Sequence, residues 1–223
     1  QPTHIVTQDQ CDVCAVNLPE VEKAIAQLIN SQPQVISLQP NLLNEVWDDI
    51  QRVAETLGVE SKPVLDRLQK RLSAIASRVK DINKKPTVIA LEWTEPLMTA
   101  GNWIPELIEI AGGKPLLSVK GEHSPYLYWE SLIEVDPDII VIMPCGFDLE
   151  RTERESQVLT QHPSWKTMSA VKNERVFIVD GNAYFNRPGP RLVDSAEILA
   201  EIFHRQLFDF GYQGKSWKPL IFR

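Results

Sequence analysis

An α/β fold of two lobes with parallel sheets, joined by one long rigid helix, is predicted by three features of this sequence. Short apolar runs alternate with helical periodicities along most of the chain, as parallel α/β layers require. The run Ile139, Ile140, Val141, Ile142 is apolar at every position, the pattern of a strand buried on both faces. Residues 63–82 carry Leu65, Leu68, Leu72, Ile75, Val79 and Ile82 on one helical face and charges on the other, without an internal Gly or Pro.

In chain order, residues 4–7 read as a short strand. Asn17, with Glu20 three residues on, opens a helix to about residue 30 bearing Leu18, Val21, Ile25, Leu28 and Ile29. Residues 34–38 form a second strand. Asn41 is the expected cap of a second helix with Leu43, Val46, Ile50, Val53 and Leu57, which Gly58 ends. The helix 63–82 follows, roughly 30 Å long at about 1.5 Å per residue. After Lys84-Lys85-Pro86 come a strand at 87–92, helices at 104–111 and 129–135, and a strand at 139–143. A helix at 148–159, a strand at 175–179 and a long closing helix at 191–210 complete the series. The domains expected are an N-terminal lobe at 1–60, the bridging helix at 61–83 and a C-terminal lobe at 84–223. Two strands make too small a sheet to stand alone, so the first lobe is expected to be incomplete and its edge to favour self-association.

At 223 residues the chain can bury a sizeable core, and no apolar run is long enough to cross a bilayer. The 23 basic against 30 acidic residues, a formal charge of -7, argue against nucleic acid as a partner, which would demand clustered Lys and Arg. No serine elbow, phosphate loop or zinc-protease motif is present, so no catalytic set emerges and a non-enzyme is expected. Glu92 and Glu95 flank Trp93, but read as a strand-end hydrogen-bonding partner and a solvent-facing charge.

Ligand sites on open α/β sheets form beyond the carboxyl ends of strands. The loops expected there hold Gln8, Asp9, Cys11 and Cys14; Trp93 and Trp103; His123, Tyr126, Tyr128 and Trp129; and Tyr184, Phe185 and Arg187. Aromatic residues in loops suit a broad wall for a large, partly apolar ligand, and Arg187 offers a fixed fork of donors. Some of these rings are equally suited to plugging the lobes; Trp165 and Trp217, outside the loops, read as structural. Cys11 and Cys14 form a CxxC that fits a disulfide, a redox pair or half a metal site, and its spacing does not choose among them. His4, His162 and His204 lie outside the candidate loops.

The order and spacing of Glu92-Trp93-x-x-Pro96, Gly101-Asn102-Trp103-x-Pro105-Glu106, Ala111-Gly112-Gly113, Pro137-Asp138-Ile139-Ile140-Val141, Pro144-Cys145-Gly146-Phe147-Asp148 and Tyr184-Phe185-Asn186-Arg187-Pro188-Gly189-Pro190-Arg191 resemble those of ABC-transporter solute-binding proteins of the cobalamin and iron-siderophore class. The resemblance implies a ligand held between two lobes and delivered to an ABC permease, with no covalently bound cofactor. It implies cobalamin or a related corrinoid as the ligand, with haem or a ferric siderophore as the alternative. It also implies that Glu130 docks on the permease and that the protein is periplasmic or extracytoplasmic. An intracellular corrinoid- or metal-handling protein without a permease is the alternative that free cysteines support, and it holds if the full-length protein lacks a signal.

Overall fold

The computed structural model describes residues 2–8, 18–26 and 33–221. The expected helix cap at Asn17 and the CxxC of Cys11 and Cys14, with Asp9, fall outside them. The chain divides into two compact units, residues 1–63 and 64–223.

In the first unit, β1 (His4–Gln8) pairs in parallel with β2 (Gln34–Leu38), His4 opposite Gln34 and Gln8 opposite Leu38. Between them lies α1 (Leu18–Ala26), and α2 (Leu43–Thr56) follows. Asn41 does not cap α2. The Glu45 carboxylate instead turns back to accept the backbone N–H groups of Asn41 and Leu42, at 2.7 and 2.9 Å. These bonds hold its pKa below the usual carboxylate value, since they favour the charged form.

The helix α3 (Lys62–Val79) buries Leu68, Leu72, Ile75 and Val79, the core side of the predicted stripe. It belongs with the second unit through one polar cluster. Arg71 on α3 donates from Nε and a terminal nitrogen to both carboxylate oxygens of Glu197, at 2.9 and 2.6 Å, and to Asp194 at 2.6 Å. Both acids lie on α8 (Leu192–Phe203). Tyr212 Oη donates to Glu197, and Glu201, one turn further on, accepts from Trp217 Nε1 and the backbone of Gly211 and Tyr212. A helix so apolar buries two glutamates because each has several donors.

The second unit is built on a six-stranded sheet. Its elements are β3 (Thr87–Thr94), β4 (Leu97–Thr99), α4 (Ile104–Ile110), β5 (Lys114–Pro115), α5 (Trp129–Val135), β6 (Ile139–Ile142), α6 (Leu149–Glu155), α7 (Ser169–Lys172), β7 (Val176–Val179), α8 and β8 (Trp217–Pro219). The strand order is β4-β3-β6-β7-β8, with β5 also on β3. β3, β6 and β7 run parallel, whereas β4 and β8 are antiparallel edges. Register at the start is locked by Asp138, whose carboxylate accepts both the backbone N–H and the hydroxyl of Thr87, while its own N–H donates back to the Thr87 hydroxyl. Every residue of β6 and β7 is buried, as the apolar runs predict.

The structure corrects several boundaries. The helix expected at 148–159 stops at Glu155 and continues as a 3₁₀ segment, Ser156–Gln161. The closing helix ends at Phe203, because His204 leaves helical geometry and bonds through Nε2 to the Gly112 carbonyl at 3.2 Å. β4 and β8 escape the sequence reading, since each is only three residues long and is flanked by or contains proline.

The cluster around Arg71 makes the first prediction. Arg71→Ala leaves Glu197 and Asp194 without their cation, and chemical denaturation is expected to show a loss of about 2 kcal/mol, below the value for a wholly buried pair because the guanidinium is partly exposed.

Candidate functional site

Three parallel strands end on one side of the second unit, and the loops that follow them hold most of the residues singled out above. Trp93, near the end of β3, is half-buried; its Nε1 donates to the Glu95 carbonyl at 2.9 Å and its ring lies 5.2 Å from that of Phe147, tilted by 55°. Phe147 follows β6, and the guanidinium of Arg151 sits 3.8 Å from the centre of its ring. The backbone N–H of Asn182, beyond β7, donates to the Phe147 carbonyl at 3.0 Å. Asn182 in turn takes two bonds from Arg187, Nε to its carbonyl and a terminal nitrogen to its side-chain oxygen, at 2.9 and 2.8 Å. The loops after all three strands therefore meet at Phe147. The approach is close enough that a Cβ on Gly181 would stand 2.4 Å from the Pro144 carbonyl oxygen, so only glycine fits there.

Two expected wall residues are in the core instead. Trp103 is 4% exposed and Phe185 0%, and Trp103 Nε1 donates to the Phe185 carbonyl at 3.0 Å. They bind the loop after Gly101 to the loop after β7 from beneath; burial inside the unit removes them from any ligand-facing surface. Tyr184 is half-buried edge-to-face with Tyr212. Gln8 ends β1 in the other unit.

The loop 121–128 is anchored by Glu92. Its carboxylate accepts the Ser124 hydroxyl at 2.5 Å, and the Ser124 oxygen accepts the Gly101 N–H at 3.0 Å. Burial pushes the Glu92 pKa up, and the Ser124 bond and nearby His123 offset this only in part. His123 itself is exposed, its Nδ1 3.2 Å from the Ser124 carbonyl.

Beyond Ser124, Tyr126 and Tyr128 are 70% and 74% exposed. They border a groove of about 860 Å³ with Thr94, Pro96, Trp129 and His162, and its lining includes Glu95 and Glu130 but, among the described residues, no Lys or Arg. Trp129 is stacked on His162, ring centres 4.0 Å apart and planes within 7°, and meets Trp165 edge-on. His162 Nδ1 accepts the Ser164 N–H at 3.3 Å. Glu130 is exposed in the first turn of α5.

Phe147, Arg151, Asn182 and His162 were not among the site residues expected from the sequence. The spacing of Phe147 and Arg151 was the available signal for two of them, since a cation four residues after an aromatic can fold over it. His162 carried none, because its contact with Trp129 spans 33 positions that only the fold brings together. Among the described residues no three His, Cys, Asp or Glu side chains stand together as a metal-ligand set, and Cys145 is half-buried. No described helix is long and apolar enough to cross a membrane.

Residues 2–183 match the family model described as periplasmic binding protein. A high-affinity heme uptake system protein, IsdE, of Staphylococcus aureus is 25% identical over 177 residues, 78% of this chain and 56% of that protein, so the chain spans little more than half the length of this curated relative. Among solved structures, an ABC transporter substrate-binding protein from Listeria monocytogenes matches with a TM-score of 0.72 at 18% identity, over 84% of this chain and 73% of the other. A periplasmic heme binding protein from Pseudomonas aeruginosa matches with a TM-score of 0.74 at 17% identity, over 100% of this chain and 78% of its own. At such identities the two structures establish the fold.

The position of Glu92 yields a pH prediction. A carboxyl whose folded pKa lies above its unfolded value binds more protons when folded, so its ionisation costs stability as pH rises from the unfolded value through the folded one. Glu92→Gln keeps an acceptor for Ser124 and removes that cost. Urea denaturation should find the variant at least as stable as the parent at pH 7, with the advantage shrinking toward pH 4.

Proposed function

Because the chain belongs to the periplasmic binding protein family, whose members are substrate-binding transport proteins, we propose that it is the solute-binding component of an ABC importer and that its cargo is a metal chelate of the tetrapyrrole class, haem before cobalamin. The observation that carries this reading is the half-buried Trp93 ring backed by Phe147 at the strand ends. A ring fixed by a second ring and by its own Nε1 bond presents a preorganised apolar face, which costs little to order on binding. Heme in the names of the Staphylococcus and Pseudomonas proteins supports haem as the cargo, and no named relative supports the cobalamin preference drawn from the sequence.

The two glutamates beside Trp93 fit structural roles better than an acid and base pair. Glu95 faces solvent, and the Glu92 carboxylate and Ser124 hydroxyl are bonded to each other, with Ser124 buried and holding the Gly101 N–H, which suits an anchor for the loop. Glu130, exposed beside two exposed tyrosines, is the proposed point of permease docking, and an extracytoplasmic site of action follows from that role.

The test is retention of coloured ligands. Protein mixed with haem, cyanocobalamin or a ferric siderophore and then desalted is expected to keep haem, seen as a Soret band, in preference to the others. Trp93→Leu should weaken haem binding about tenfold, the loss of one aromatic contact worth about 1 kcal/mol or a little more. Passage of every coloured ligand through the column unbound would refute the proposal.

A further inference from the structure

We propose that the second unit has a separate binding site for a small, doubly charged oxyanion of the phosphate class, at the end of the sheet where the parallel strands begin. A cavity of about 320 Å³ lies there, lined by Lys84 and Pro86 before β3, Asp138 before β6, Arg175 before β7, and Phe203 and His204 where α8 ends. The loops that follow β3, β6 and β7 are at the other end of these strands, so the site stands apart from the one assigned to cargo and does not depend on it.

Arg175 is the residue on which the site turns. Among the described residues only two arginines are half-buried rather than exposed, Arg71 and Arg175. Arg71 meets two carboxylates at 2.6 Å, and these raise its pKa in spite of its burial. Arg175 has no such partner. Its guanidinium makes one hydrogen bond among the described residues, to the Phe203 carbonyl at 3.5 Å, which is long for such a bond. Asp138 faces the same cavity, but its Oδ2 accepts the N–H and the hydroxyl of Thr87, and it makes no ion pair with Arg175. Burial accordingly lowers the Arg175 pKa, and the charge of Asp138 offsets this only in part. A guanidinium partly withdrawn from water, weakly held and lining a cavity is suited to an acceptor that arrives from solution.

The surroundings set the charge and size of that acceptor. Lys84 lines the cavity with Arg175, and both act on Asp138 through their charge. Lys85 is close enough to act on His204, whose pKa burial lowers, so that this imidazole adds no charge at neutral pH. Three cations therefore stand around one carboxylate, a local excess of two positive charges on a chain whose formal charge is -7. A dianion balances that excess, and a guanidinium fork beside a lysine point charge matches phosphate oxygens. The volume is near the lower end for small-ligand pockets, which suits phosphate or a small phosphate ester rather than a macrocycle.

Backbone amide shifts during titration with inorganic phosphate, at neutral pH and constant ionic strength, test the site, with acetate as the monoanion and chloride as the control. Saturable shifts are expected at residues 84–87, 138–139, 173–176 and 203–207, with phosphate bound at least about tenfold more tightly than acetate. Arg175→Gln should weaken phosphate binding about tenfold. Should that half-buried substitution disturb the fold, Lys84→Gln decides the matter from an exposed position: it should weaken binding about threefold and leave the melting temperature in chloride unchanged. Shifts that never saturate, or that follow exposed lysines over the whole surface, would mean an adventitious ion only and overturn the site. Equal affinity for phosphate and acetate would overturn the dianion assignment, and undiminished binding by a folded Arg175→Gln or by Lys84→Gln would overturn the roles of these cations. Each result stands whether or not the protein retains haem.

Discussion

Parallel pairing of β3, β6 and β7 is the constraint from which the rest of the second unit follows. Strands that run the same way must be connected by crossovers, so each contributes its following loop to the same end of the sheet. Trp93, Phe147 and Asn182 come from three segments far apart in sequence and meet because of this geometry alone. Asp138 and Thr87 fix the register at the opposite end, where a smaller cavity of about 320 Å³ lies among Lys84, Asp138, Arg175 and His204. A slip of one residue there would reverse which side chains reach the core on every strand.

A second constraint fixes the frame that carries the sheet. Glu197 and Glu201 are nearly inaccessible on α8, and they are tolerated because Arg71, Tyr212, Trp217 and backbone amides surround them. The same bonds hold α3 against α8, which makes the long helix part of the second unit. Burial also sets His204: its removal from water holds its pKa below the usual histidine value, and the bond it donates to Gly112 offsets this only in part. A histidine held neutral in the fold binds protons more readily once unfolded, so acid works against this corner of the molecule.

Much of this was legible in the sequence, for identifiable reasons. The fold class followed from periodicity, and the strand 139–142 and the helix 129–135 were readable because strong apolar patterns end there at Pro137 and Asp136 or begin at a loop. The grouping of aromatic residues in post-strand loops was legible too, but the depth of each ring was not. Trp103 and Phe185 stand in loops and are nevertheless buried, because a loop that crosses the end of a sheet has an inner side. Arg71 and Asn182 act through partners distant in sequence, and neither composition nor spacing shows such pairings. Short edge strands were missed for a related reason: β4 and β8 gain their identity from the neighbour they pair with.

The strand-end face of the second unit combines a backed aromatic ring, two exposed guanidiniums and an acidic aromatic groove, within the fold of the periplasmic binding proteins. The central claim is that cargo meets the protein on this face. Hydrogen exchange with and without haem tests it directly, since protection reports where opening is suppressed by a ligand. Protection on binding is expected at residues 93–95, 145–151 and 181–187. Protection confined to residues 84–87, 136–139 and 173–176, at the other end of the strands, would contradict the account.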